Sequence, residues 1–238
     1  MLSQAEILDR VRVGDATFRW VDLPVGGRLV LRVMPDALRL DGLRVPVSAR
    51  TAQQAADLLG AMLPTALIED LVWRAAAVRV RPKPQRPDWW SAHMWEAVEQ
   101  CHQDIQEQLP AELDPGAIIA TVGKSWVLTN ELLAHEGRAA NYGWHHSGAG
   151  FRAVSGSMPV WQPLSTAHNA DHWDYSQTLR LVARDCLVDG APRDLHDVLQ
   201  DRELAPLVSH EGPLRLLRQP GVEEITGAVV LPPQEISA

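Results

Sequence analysis

Cysteine is scarce in this chain. The two present, Cys101 and Cys186, allow no disulfide framework and no paired metal ligands at zinc-finger spacing. Cys101 falls in a helical pattern and Cys186 in an apolar run, so both read as buried thiols. Net positive charge is lacking as well. The formal charge is −8, which argues against nucleic acid as a partner, because phosphate binding needs a basic face. The one local exception, "RVRPKPQR", carries Arg79, Arg81, Lys83 and Arg86, but its two prolines prevent a regular helix and mark a solvated linker. No apolar run approaches the roughly eighteen residues of a membrane span. The start, "MLSQAEILDRVRVGD", lacks the basic-then-apolar order of a signal peptide. No membrane partner is expected, and the cytoplasm is the default location. Phenylalanine and tyrosine number two each against nine tryptophans, so indoles supply the core or line a groove.

What is present is the balance of a globular protein: 46% apolar and 22% charged residues in 238. "ATFRWVDLP" and "RLVLRVM" alternate as strands, with Val25-Gly26-Gly27 turning between them. Ser48 or Thr51 caps a helix in "TAQQAADLLGAML", and Thr51 and Gln54 have capping-box spacing. A second helix follows, with Pro64 near its first turn and Leu67, Ile68, Leu71, Val72 and Ala75 facing inward. A third runs roughly from Ala92 to Gln108. The back half is a series of short strand-like segments, from "GAIIATVG" to "LRLVARDCLVDG", with helical signals returning at "RDLHDVLQD" and "ELAPLVS". The fold class expected is α+β, one domain over 1–225. Front-half strands and helices (1–110) would pack on a mainly antiparallel or mixed sheet from the back half (116–212), with 226–238 an extended tail.

The densest polar stretch is "HNADHWDYSQTLRL", from His168 to Leu181. If 172–182 is extended, His172, Asp174, Ser176, Thr178 and Arg180 share one face. His168 could fold back over that wall, so that Ser176, His168 and Asp174 supply the residue types of a nucleophile, base and orienter. A metal reading takes His145, His168, His172 and Asp174 as a nitrogen and oxygen shell for zinc. A structural polar network is the third reading. "TVGKSW" is not a phosphate loop, since Ile118 stands where that loop needs glycine and a strand follows Lys124. Lys124 is then either a surface hairpin residue or an ammonium pointing into a site. In "NYGWHH", His145 and His146 cannot face one site together without a bulge.

The segments "LLGAMLPTALIEDLVWRAAAVRVRPKP", "VGKSWVLTN", "NYGWHH", "WQPLSTAH" and "DYSQTLRLVARDCLVDG" together resemble a family of mostly uncharacterised bacterial proteins. In that family a Gly-x-Lys loop, a Tyr-Gly-Trp-His strand and a His…Asp-Tyr-Ser…Arg-Leu-Val segment occur in this order. The resemblance covers about residues 28 to 212. It implies site residues at Lys124, Tyr142, His145, Gln162, His168, Asp174, Tyr175, Ser176 and Arg180. The chain departs from the pattern at Gln177, where histidine before glycine is usual, and at His172, where an aromatic is usual. The last segment is also faintly similar to L,D-transpeptidase cell-wall enzymes, but the cysteine nucleophile of those enzymes is missing from it. Two classes of function follow. One is a hydrolase of an amide or ester bond, in peptidoglycan or a peptide, with His168, Asp174, Ser176 and His145 catalytic. Lys124, Arg180, Tyr142, Tyr175, Trp144 and Gln162 would bind the substrate, with no cofactor or, alternatively, zinc. The other is a non-catalytic binding or assembly module of a phage-particle or cell-wall-binding type, using a face of Trp126, Trp144, Trp161 and Trp173.

Overall fold

A computed structural model describes residues 2–85, 94–146 and 159–226. Calls on Arg86, the start of the third helix, the "SGAG" loop after His146 and the tail beyond 226 lie outside these residues. The class is α+β. The chain begins with α1 (Gln4–Arg12), which the sequence reading passed over although its signal is local. Ser3 accepts from the Glu6 amide while the Glu6 side chain accepts from Ser3, closing a capping box. Strands β1 (Val21–Val25) and β2 (Leu29–Val33) pair antiparallel and bury alternate residues, Leu23 and Val25 against Leu29, Leu31 and Val33. Gly26 and Gly27 both take positive φ in the turn between them, which a β-carbon at either position would resist.

The short hairpin β3 (Arg39–Leu40) and β4 (Leu43–Arg44) leads to α2 (Ala49–Leu58). Ser48, not Thr51, is its cap, accepting from the Thr51 amide at 3.1 Å. The helix stops earlier than its apolar pattern suggests, because the chain turns left-handed at Gly60 and continues as β5 (Ala61–Met62). Helix α3 (Ala66–Ala75) is capped by Thr65. Its inward face includes Asp70 and Glu69, while Leu71 is only half-buried and Ala75 is exposed, which corrects the expected stripe. Strand β6 (Val78–Arg79) pairs in parallel with β7 (Ile119–Ala120), so the basic run starts as a strand and only then becomes irregular. Helix α4 (Met94–Gln106) buries Ala97, Val98, Cys101 and Ile105.

The back half does not form the sheet alone. It contributes β8 (Lys124–Val127), β9 (Arg138–His145) and β10 (Val160–Asn169) to one antiparallel sheet in the order β10-β9-β8. Its remaining strands, β11 (Val182–Ala183), β12 (Asp185–Val188) and β13 (Ala191–Asp194), join the front-half strands instead. β11 and β12 lie along the edge of β2 opposite β1, and β11 also pairs with β5. Front-half helix α3 packs on the back-half sheet, as expected, while the six-stranded sheet interleaves strands of both halves. Among the described residues, helix α5 (Leu195–Gln200) and a short 3-10 turn are the last regular structure. One apolar cluster joins α1, α2, α3, α5 and the six-stranded sheet, with the alanines of α2 letting the backbones approach closely. A second lies between α4, β7 and Trp144 and Tyr175. Both cysteines are buried, as expected, and burial pushes the Cys101 thiol up to about 12 and the Cys186 thiol up to about 11.

Candidate functional site

Directly paired residues of antiparallel strands share a face. The register Lys124↔Gly143, Trp126↔Asn141 and His168↔Ala139 therefore puts Lys124, Trp126 and His168 on one face of the β8-β9-β10 sheet. The chain then leaves β10 and lays 171–178 over that face. This segment is a loop, not the expected strand. Its polar alternation reflects local turn chemistry: Asp174 Oδ1 accepts from the Ser176 amide at 2.8 Å and from the Ser176 hydroxyl, and Gln177 Oε1 accepts from the Asp174 amide at 2.6 Å. The loop is tied down by main-chain bonds from Val47 to Gln177 O and from Lys124 to Ser176 O, at 2.9 and 2.6 Å. Gly123 is required there by space. A β-carbon on it would stand 2.9 Å from Ser176 O and 2.1 Å from Thr178 Oγ1. Gly123→Ala is expected to cost about 1–3 kcal/mol, read as a shift in denaturant midpoint; an unchanged midpoint would refute the close packing.

Between loop and sheet lies a cavity of about 530 Å³ lined by Met94, Lys124, His168, Asp171, His172, Trp173 and Asp174. Lys124 is mostly buried, its Nζ 3.7 Å from Asp174 Oδ2 and 5.1 Å from the centre of the Trp144 ring. His172 Nε2 stands 3.8 Å from the same Oδ2, is shielded from solvent and has no hydrogen-bond partner among the described residues. His168 stacks face to face on His172 with centroids 4.0 Å apart, and meets the edge of Trp126 on its other side. Burial raises the cost of ionising Asp174, but His172, Lys124 and the Ser176 bonds outweigh it and hold the carboxyl down at about 2. Burial, helped by His172, pulls His168 below the ordinary imidazole value, so its ring is neutral at pH 7. Comparison with protein-family models, with curated proteins and with solved structures finds no match.

Of the expected site residues, Lys124, His168, His172 and Asp174 come together here. Ser176 does not serve as a nucleophile facing a histidine; it is fully buried and its hydroxyl is spent on Asp174. Arg180 is buried and donates to Ile119 O at 2.6 Å, so it does not line the cavity. Tyr175 is fixed through its hydroxyl to the main chain of Gln85, and its ring packs on Trp144. Gln162 pairs with Gly143 and donates to Pro163 O rather than to the cavity. The proposed tryptophan face does not form as one surface. Trp126 and Trp144 are buried backing for His168 and Lys124, Trp173 lines the cavity, and Trp161 sits half-exposed against Trp144.

His145 belongs to a different centre. Three residues apart on β9, Tyr142 and His145 would face opposite sides of a regular strand. Gly143 at φ 135° and Trp144 at φ 55° break the alternation, and both rings reach Asp70. Asp70 Oδ1 accepts from the Tyr142 hydroxyl and from His145 Nε2, each at 2.7 Å, while Oδ2 accepts from His210 Nε2 at 3.0 Å. Burial opposes ionisation of Asp70, yet the three donors hold its pKa below the usual carboxylate value; burial and the Asp70 charge push Tyr142 up. The four-residue zinc shell is thus not assembled, since His145 faces Asp70 and the ring planes of His168 and His172 are parallel, not convergent. Among the described residues no three His, Cys, Asp or Glu are arranged to hold a metal ion. Asp70 itself escaped the sequence reading; its one signal was a carboxylate inside the apolar helix "ALIEDLVW".

Proposed function

We propose that the chain is a hydrolase of an amide or ester bond, working in the Lys124–Asp174 cavity by general acid–base catalysis with water as the nucleophile. The observation that carries this reading is the convergence of an ammonium, an ionised carboxylate and two stacked imidazoles on one cavity. His172 would take a proton from water as its oxygen adds to the substrate carbonyl. The carbonyl electrons move onto an oxygen held by the Lys124 ammonium. Collapse of the tetrahedral intermediate expels the amine or alcohol, which receives the proton from His172. Asp174 holds the Lys124 ammonium beside the cavity, and Ser176 positions Asp174. This replaces the serine nucleophile of the sequence reading, while peptides and peptidoglycan peptides remain the substrate class to be offered.

The test is mass spectrometry of the full chain incubated with a peptide mixture and with soluble peptidoglycan fragments. Wild-type protein is expected to add the mass of one water across a bond, and His172→Ala to lower the rate at least 100-fold. Products formed equally by His172→Ala would overturn the assignment. No product from any substrate would overturn the hydrolase reading.

A further inference from the structure

The polar atoms at the head of the cavity narrow the substrate further, resting on the reading that this cavity is the active site. Asp174 Oδ1 is consumed by the Ser176 amide and hydroxyl. Its Oδ2 makes no hydrogen bond to either neighbour, because Lys124 Nζ at 3.7 Å and His172 Nε2 at 3.8 Å are beyond hydrogen-bond range. One acceptor therefore stands beside one cationic donor, both on the cavity wall, with a spacing of 3.7 Å. The main chains that bear them are joined by the Lys124 N–H to Ser176 O bond, and the Lys124 side chain is held against the Trp144 ring. Formal charges cancel: Lys124 balances Asp174, and Asp171 is ion-paired with Arg50. An uncharged ligand fits that balance.

We infer that the cavity recognises an amide presented by the edge on which C=O and N–H lie side by side, as in a terminal carboxamide or a ring lactam. In such an edge the nitrogen and oxygen are about 2.2 Å apart from the amide bond lengths, and both point the same way. The carbonyl oxygen accepts from Lys124 while the syn N–H donates to Asp174 Oδ2. A trans peptide bond does not fit, because its C=O and N–H point in opposite directions, so the amide-or-ester reading narrows to carboxamides and lactams, and in the peptides offered above the bond cut is a carboxamide and not the backbone. An ester leaves Oδ2 facing a second oxygen, and a carboxylate sets like charges together. Cleavage of the carboxamide would consume one water and release ammonia, the proton from water passing through His172 to the leaving nitrogen. Cleavage of the lactam would open the ring. Trp173 and Met94 supply apolar wall for the body of the ligand.

The probes are phenylacetamide, N-methylphenylacetamide, methyl phenylacetate, phenylacetate and δ-valerolactam, titrated into the full chain while the imidazole NMR signals of His168 and His172 are followed. Phenylacetamide or the lactam is expected to bind at least ten-fold more tightly than the N-methylamide and the ester; which of the two leads distinguishes open-chain from ring substrates. Asp174→Asn, which puts a second donor beside Lys124, is expected to reverse the order and favour phenylacetate. Equal binding of the N-methylamide or ester, a wild-type preference for phenylacetate, or no binding by any probe would overturn the inference. A carboxamide that binds as expected but stays intact overturns hydrolysis alone.

Discussion

Asp70→Ala is expected to remove about 3–5 kcal/mol of stability, the scale seen when one partner of a buried charged network is deleted. The carboxylate is wholly buried and is the acceptor for Tyr142, His145 and His210, which come from β9 and from the segment after α5. Without it the Tyr142 hydroxyl and the His145 N–H face an apolar interior unpaired, and the positive-φ Gly143–Trp144 step loses the contacts that flank it. Asp70→Asn keeps the volume and one acceptor oxygen, so its loss should be smaller. Urea unfolding of both variants decides the matter; an Asp70→Ala loss below about 1 kcal/mol would show that the network is idle. The same carboxylate sets an acid limit. Its folded pKa lies below its unfolded value, so its contribution is complete above about pH 4 and disappears as pH falls through the lower folded value.

Lys124→Met is expected to lower turnover by about 10²–10³-fold, the cost of removing one preorganised donor from a developing oxyanion. Methionine keeps the contact with Trp144 but not the charge, and Asp174 keeps its Ser176 bonds, so the fold persists. Lys124→Arg keeps the charge in a wider, planar group and should recover only part of the rate. The measurement is the ratio kcat/KM for the substrate found in the mass-spectrometric screen, with a melting curve as control. An unchanged kcat/KM in Lys124→Met would remove the ammonium from the mechanism.

Features that the sequence made legible were those settled within a few residues. The Gly26-Gly27 hairpin, the cap at Ser48 and the alternation of β2 all follow from local chemistry, whereas the second helix is capped by Thr65, with Pro64 before it rather than in its first turn. The cavity was half legible: the clump of histidines and aspartates after Trp161 marked where it is, and Lys124 was one of two open readings. Its wiring was not, because an alternating polar segment looks the same whether it lines one face of a strand or folds into a turn around Asp174. Asp70 was hidden for the opposite reason, since its partners are 72 to 140 residues away and nothing near it in sequence names them. The buried Gln177 side chain caps the Asp174 amide, a role that its place in the polar alternation did not reveal.

The interleaving of strands has a kinetic meaning. β2 meets β11 and β12 only after the chain between them has found its place, and Met34 and Leu38 bind the main chain of Leu181 and Leu179 from more than half the chain away. Closing such distant pairs is slow, because loop entropy is lost before the contacts that offset it form. The cavity's loop lies just before those strands, so its frame depends on the same long-range pairing.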